Sequence, residues 1–175
     1  MFEHTTTLDV GCGPHKLPNA IGIDMLKLEG VDVVHDLNTS GWPIPDDHFK
    51  KIRCQHAIEH IQRTDVLARE MYRVAKDGCE IDFITPHYSS YASWGDPTHY
   101  WHFALASIPK LFEMQLPKDS FEVTLSKLKW TGGLLDLFGW LIYKMSKKTY
   151  EKRFAWIFPA NEIHVSLRIR KPTTH

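Results

Sequence analysis

Only seven residues separate Gly13 from Ile21, and two short apolar runs that read as neighbouring strands flank them. Leu8 and Val10 mark the first run, and Ile21 to Asp24 form the second. Parallel strands that follow one another normally need a crossover of a dozen or more residues, usually a helix. Seven extended residues reach at most about 24 Å, enough to run back along a strand of five or six. The spacing therefore predicts a sheet whose first crossover helix is missing, with Pro14 and Pro18 stiffening the return. Gly11 and Gly13 let the backbone turn sharply and approach a ligand without a Cβ in the way. Asp24 closes the second strand, where a carboxylate takes both hydroxyls of a ribose. A dinucleotide is disfavoured, because Lys16 occupies the third position of a G-x-G-x-x-G motif and Asp9 would face the phosphates.

The 175 residues are 43% hydrophobic, enough for one sizeable core, and no polar linker divides them, so a single domain over 1–175 is expected. Twenty-one basic residues balance 21 acidic ones. No global field then gathers nucleic acid, and no nucleic-acid partner is expected. Cys12, Cys54 and Cys79 form neither a metal-ligand spacing nor an even disulfide set, and they read as reduced thiols of a cytoplasmic protein. The chain starts without a basic and then apolar leader, and it has no apolar run of eighteen residues.

The stretch Asp9-Val10-Gly11-Cys12-Gly13 resembles motif I of the class I S-adenosylmethionine-dependent methyltransferases, whose cofactor carries an ammonium and a sulfonium instead of phosphate. After a third short strand, Val31 to Val34, the residues His35-Asp36-Leu37-Asn38 stand where these enzymes place an acid near the adenine amino group. Trp42-Pro43-Ile44-Pro45-Asp46-Asp47-His48-Phe49 resembles their "LPFPDNSFD" segment. Gln55-His56-Ala57-Ile58-Glu59-His60 is similar to the "EH" stretch after strand four in the small methyltransferase type 11 group. The resemblance runs from Leu8 to about Pro86. It implies a Rossmann-like α/β sheet, mostly parallel, with an antiparallel last strand, and S-adenosylmethionine as cofactor. The implied cofactor-binding residues are Asp9, Gly11, Gly13, Asp24, Asp36, Leu37 and Gln55. Two departures, the missing helix and His15 where the family usually has glycine, support the alternative of a non-catalytic module that keeps the fold to bind a partner protein.

Farther on, Thr64 reads as an N-cap, and Leu67, Ala68, Met71, Val74 and Ala75 recur on one helical face until Gly78. Cys79 to Thr85 predict a fifth strand, although Glu80 and Asp82 are odd in a buried position and need partners or exposure. Phe121, Val123 and Leu125 alternate, as do Ile163, Val165, Leu167 and Ile169, the pattern of paired strands near a sheet edge. Between them, residues 131–160 form a helical insertion able to cover the bared sheet or the substrate cleft. Its apolar run from Leu134 to Tyr143 precedes Lys144, Lys147, Lys148, Lys152 and Arg153. Three readings stand for 134–158: a packed helix, a helix lying on a membrane surface, and a homodimer contact.

Pro86-His87-Tyr88-Ser89-Ser90 and Asp96-Pro97-Thr98-His99-Tyr100-Trp101-His102-Phe103 resemble a segment of methyltransferases encoded with saccharide pathways, which implies a hydroxyl of a small or sugar-like acceptor. A hydroxyl nucleophile must lose its proton, and histidine titrates in the right range. His99 is the expected base, with Asp96 orienting it and His56 next in line, among His56, His60, His87, His99 and His102. A metal at Asp96, His99 and His102 is not expected, because the pattern offers no fourth ligand. The chain has no Asn-Pro-Pro-Tyr element after strand four, which argues against methylation of nucleic-acid bases.

Overall fold

The computed structural model describes Phe2 and residues 5–172. Seven strands make one sheet in the order β3-β2-β1-β4-β5-β7-β6. They are β1 (Thr7–Val10), β2 (Ile21–Asp24), β3 (Val33–Val34), β4 (Phe49–Gln55), β5 (Ala75–Pro86), β6 (Phe121–Lys129) and β7 (Glu162–Ile169). β7 runs antiparallel to both neighbours, and the remaining pairs are parallel. The described α-helices are α1 (Thr64–Val74), α2 (Tyr91–Gly95), α3 (Ser107–Gln115), α4 (Leu134–Met145) and the single turn α5 (Lys147–Thr149), with a 3-10 turn at Ile58–His60 and a π-helical turn at Tyr150–Phe154.

The predicted loss of the first crossover helix is observed, and it extends further. None of the links β1–β2, β2–β3 or β3–β4 contains a helix. Helices α1 and α3 lie together on one face of the sheet, where Leu67, Met71, Ile108 and Phe112 are buried with Leu8, Ile52, Ile81 and Phe83. The rings of Phe83 and Phe112 stand 5.7 Å apart, edge to face.

The opposite face carries charge. Register sets Asp9 beside Arg53, Arg53 beside Asp82, and Asp82 beside Ser166 across four strands. Arg53 reaches the Asp9 carboxylate at 3.5 Å, Lys51 reaches Asp82 at 3.3 Å, and the Ser166 hydroxyl donates to Asp82 at 2.6 Å. Glu80 and Asp82 are thus explained: they belong to a partly solvated polar face, which no helix covers among the described residues.

Local expectations shift in detail. Helix α1 starts at Thr64 itself with Arg63 at the N-cap position, which makes no side-chain capping bond. It ends at Val74, because Ala75 already has an extended conformation and pairs with Phe49, so β5 begins before Gly78. The third strand is limited to Val33–Val34.

The insertion is helical, but it leaves the polar face open. It stands at the carboxyl ends of β5 and β6, held by the Trp130, Tyr143 and Tyr150 rings, whose centroids lie 5.3–6.0 Å apart. Tyr150 is fully buried and donates to the Phe158 carbonyl at 2.6 Å. Glu151 accepts from the Leu105 amide at 2.8 Å and lies 3.3 Å from His87, and Tyr88 donates to the Glu151 carbonyl. The insertion therefore covers the end of β5. Among the described residues, no helix is long and apolar enough to cross a membrane.

Candidate active site

A cleft of about 570 Å³ opens at the carboxyl ends of β1, β2 and β4, the edge where open α/β sheets bind ligands. Gly11, Gly13, Asp24, Leu37, His56 and His60 line it, with Thr98 and Tyr100 on the far wall. Gly11 sits at φ +65°, and a Cβ there would fall 2.3 Å from the Cβ of Ala57. The turn after β1 therefore closes tightly against the turn after β4. Gly13 also has positive φ, +52°, and its amide donates to Asp24 at 2.9 Å, while Leu26 donates to the other carboxylate oxygen at 2.9 Å. Two backbone N–H groups thus hold the Asp24 carboxylate at the cleft wall.

The sequence-predicted residues divide. Gly11, Gly13, Asp24 and Leu37 meet in the cleft, but Asp9, Asp36 and Gln55 are not part of its lining. The Asp9 side chain lies on the other face of the sheet, where it accepts from the Leu17 amide at 2.7 Å and faces Arg53. Burial raises its pKa above the ordinary value, and the Leu17 and Arg53 contacts only partly offset that. It ties down the short β1–β2 return instead of reaching for a ligand. Gln55 borders the open polar face. Asp36 is occupied by Asn38, whose backbone and side-chain N–H groups both donate at 2.9 Å. Asn38 takes its place on the wall.

A second cavity of about 410 Å³ adjoins the first, lined by His56, Glu59, His60, Asp96 and His99 among others. His56 and His60 line both, so the two spaces share a wall. His56 has a left-handed backbone, φ +50°, uncommon for a residue with a Cβ. Its Nδ1 stands 3.5 Å from Glu59, and its Nε2 stands 3.3 Å from Glu162 of β7. The Glu59 carboxylate, with Glu162 behind it, holds the imidazole pKa above the usual 6.5 against the opposing effect of burial.

Asp96 does not orient His99. Its Oδ2 is 3.9 Å from His99 Nε2, outside hydrogen-bond reach, and its short contacts go to the Thr98 amide (2.8 Å) and hydroxyl (2.6 Å). Those two bonds hold the Asp96 carboxyl below the usual carboxylate range. His99 is oriented instead by the Ser93 carbonyl, 3.0 Å from its Nδ1. His102 stacks on Trp94 at 3.5 Å and bonds Ser93, so Asp96, His99 and His102 do not converge. Sequence reasoning passed over Glu59 as a site residue, although its place between His56 and His60 in the "EH" stretch was the available signal.

Residues 2–116 match the methyltransferase domain family. Solved structures with the same fold include a putative methyltransferase from Bacillus halodurans, with TM-score 0.66 and 14% identity over 94% of this chain and 92% of that one. Another is an S-adenosylmethionine-dependent methyltransferase from Mesorhizobium loti, with TM-score 0.60 and 13% identity over 93% and 89%. A third is the putative methyltransferase of Haloferax volcanii solved with the Trm112 activator, at TM-score 0.63 and 12% identity over 97% and 84%. Among curated protein sequences, none matches this chain. The family match over most of the chain, the strand order and the glycine turn facing Asp24 agree, and the chain belongs to the class I S-adenosylmethionine-dependent methyltransferases.

Proposed function

We propose that this protein methylates a hydroxyl of a small or sugar-like acceptor, held in the cavity beside the cofactor cleft. The shared wall of His56 and His60 carries the reading, because it brings an imidazole to the boundary between two ligand-sized spaces. Bound S-adenosylmethionine supplies an electrophilic methyl group on a sulfonium. The chain's own part is to hold, orient and deprotonate. Asp24 would take the ribose hydroxyls, Leu37 would pack on the adenine, and the open side of Gly13 would give the backbone room to approach, with Gly11 letting the turn close on Ala57.

Of the expected base residues, His56 has the best position. His99 lines only the acceptor cavity, whereas His56 lines both spaces and has a carboxylate facing each ring nitrogen. His56, neutral with its Nδ1–H toward Glu59, receives the acceptor proton on Nε2, and Glu59 and Glu162 stabilise the imidazolium that results. Asp96 positions His60 through Thr98.

Calorimetric titration with S-adenosylhomocysteine tests the cofactor half. Replacing Asp24 with Ala should cost about 1.5–3 kcal/mol of that binding, the usual worth of a hydrogen bond to a charged group. Unchanged affinity removes Asp24 from the site. If the parent protein binds no S-adenosylhomocysteine, the partner-binding module is the better account.

The insertion bears on where the acceptor is met. Leu134, Leu135, Phe138, Trp140, Leu141 and Met145 of α4 are exposed, as are Trp156 and Ile157. Between residues 134 and 158 stand five cationic and two acidic side chains. Apolar surface flanked by cations suits an anionic bilayer surface better than a second copy carrying the same charge. The protein should sediment with phosphatidylglycerol vesicles and not with phosphatidylcholine vesicles, and Phe138→Glu with Trp140→Glu should abolish it. A soluble dimer that ignores both vesicles would assign α4 to self-association.

A further inference from the structure

Two imidazoles in the acceptor cavity are locked into the same tautomer. Thr98 makes two short contacts, 2.6 Å to Asp96 Oδ1 and 2.8 Å to His60 Nδ1. A carboxylate only accepts, so the single hydroxyl proton goes to Asp96, and the oxygen must accept from His60 Nδ1–H. The Ser93 carbonyl likewise only accepts, so His99 Nδ1 donates to it. In their neutral forms both rings therefore carry a lone pair on Nε2. Outer hydrogen bonds of this kind, to a carbonyl or a carboxylate-backed group, fix metal-ligating histidines in proteins generally.

The third group is Glu59. Its side chain is only 2% exposed, and its Oε2 accepts a single hydrogen bond from the Thr85 hydroxyl, 3.0 Å away. A buried carboxylate needs compensating charge, which His56 at 3.5 Å supplies only when protonated and a metal ion supplies directly. One donor atom from each of Glu59, His60 and His99 lies within 4.8 Å of the others. Donors about 2.1 Å from a common ion stand roughly 3–4 Å apart, so closure takes only small side-chain rotations.

We propose that Glu59, His60 and His99 bind a divalent first-row transition-metal ion of the zinc class. Two neutral imidazoles and one carboxylate match such an ion and leave coordination positions open toward the cavity. Resting on the reading of that cavity as the acceptor site, the ion would hold an acceptor oxygen and lower its proton affinity, with the proton passing to His56. Asp96, Thr98 and Ser93 are then positioning residues of the outer shell.

The test is calorimetric titration of the chelator-stripped full chain with Zn2+. One ion per chain is expected, with the His60→Ala, His99→Ala double variant losing that binding and Thr98→Val weakening it ~10–100-fold. Absence of stoichiometric binding, or binding that survives the double variant, overturns the proposal. Should the variants misfold, Mn2+ added to the unaltered protein decides the matter by NMR. Broadening of the His60 and His99 ring signals first supports the site, and equal broadening of exposed His15 and half-buried His35 refutes it. S-Adenosylhomocysteine titration of the same sample separates the failures, because loss of cofactor binding with Zn2+ binding intact counts against methyl transfer and leaves the metal site standing.

Discussion

Replacing His56 with Gln should lower turnover ~10²–10⁴-fold, the usual cost of removing a general base, while S-adenosylhomocysteine still binds as it does to the parent. Glutamine keeps a polar side chain on the shared wall but cannot take a proton. The parent's pH profile supplies a second signature. Only the neutral imidazole accepts a proton, and the neighbouring carboxylates raise its pKa above 6.5. The rate should therefore climb as pH rises through a value above 6.5 and level off once His56 is neutral. Replacing Glu162 with Gln removes one of the raising charges, so the inflexion should move down. Turnover of His56→Gln within a few-fold of the parent would reduce His56 to a wall residue.

The turn after β1 should be nearly as sensitive, in stability instead of rate. Gly11→Ala puts a Cβ 2.3 Å from that of Ala57 and forces a positive φ on a residue that disfavours it. Overpacking costs about 1–3 kcal/mol and left-handed backbone about 1–2 kcal/mol, so a loss of about 2–5 kcal/mol is expected in urea unfolding. Gly13→Ala is the control. Its φ is also positive, but nothing lies within 4 Å of the added carbon, so only the conformational part, about 1–2 kcal/mol, should appear. Equal losses at the two positions would mean that Ala57 moves aside freely.

The parts of the fold written in local patterns were readable from the sequence. The strand, glycine turn and strand from Leu8 to Asp24, the apolar face of α1 and the alternation of β7 all appear where the residues put them. The missing helix followed from a residue count alone. The site was less legible, because its members come from segments far apart. Asp96 and His99 are three residues apart and looked like a pair, yet an Asx-type turn sends the carboxylate to Thr98. Glu162 meets His56 only because β7 inserts beside β5, and no local pattern encodes that meeting. Asp9 was assigned from a motif that did not say to which face of its strand the carboxylate turns.

The charged face of the sheet has a consequence for how the chain finds its pairing. Strands of a parallel sheet covered on both faces are apolar throughout, and sliding one by a residue exchanges one greasy side chain for another. Here Asp9 alternates with Leu8 on β1, Arg53 with Ile52 on β4 and Asp82 with Ile81 on β5, so a one-residue slip of any of these strands would drive its own polar or charged side chain under helices α1 and α3. Leaving one face without helices thus acts as proofreading, with misaligned sheets rejected by the electrostatics of their own interior.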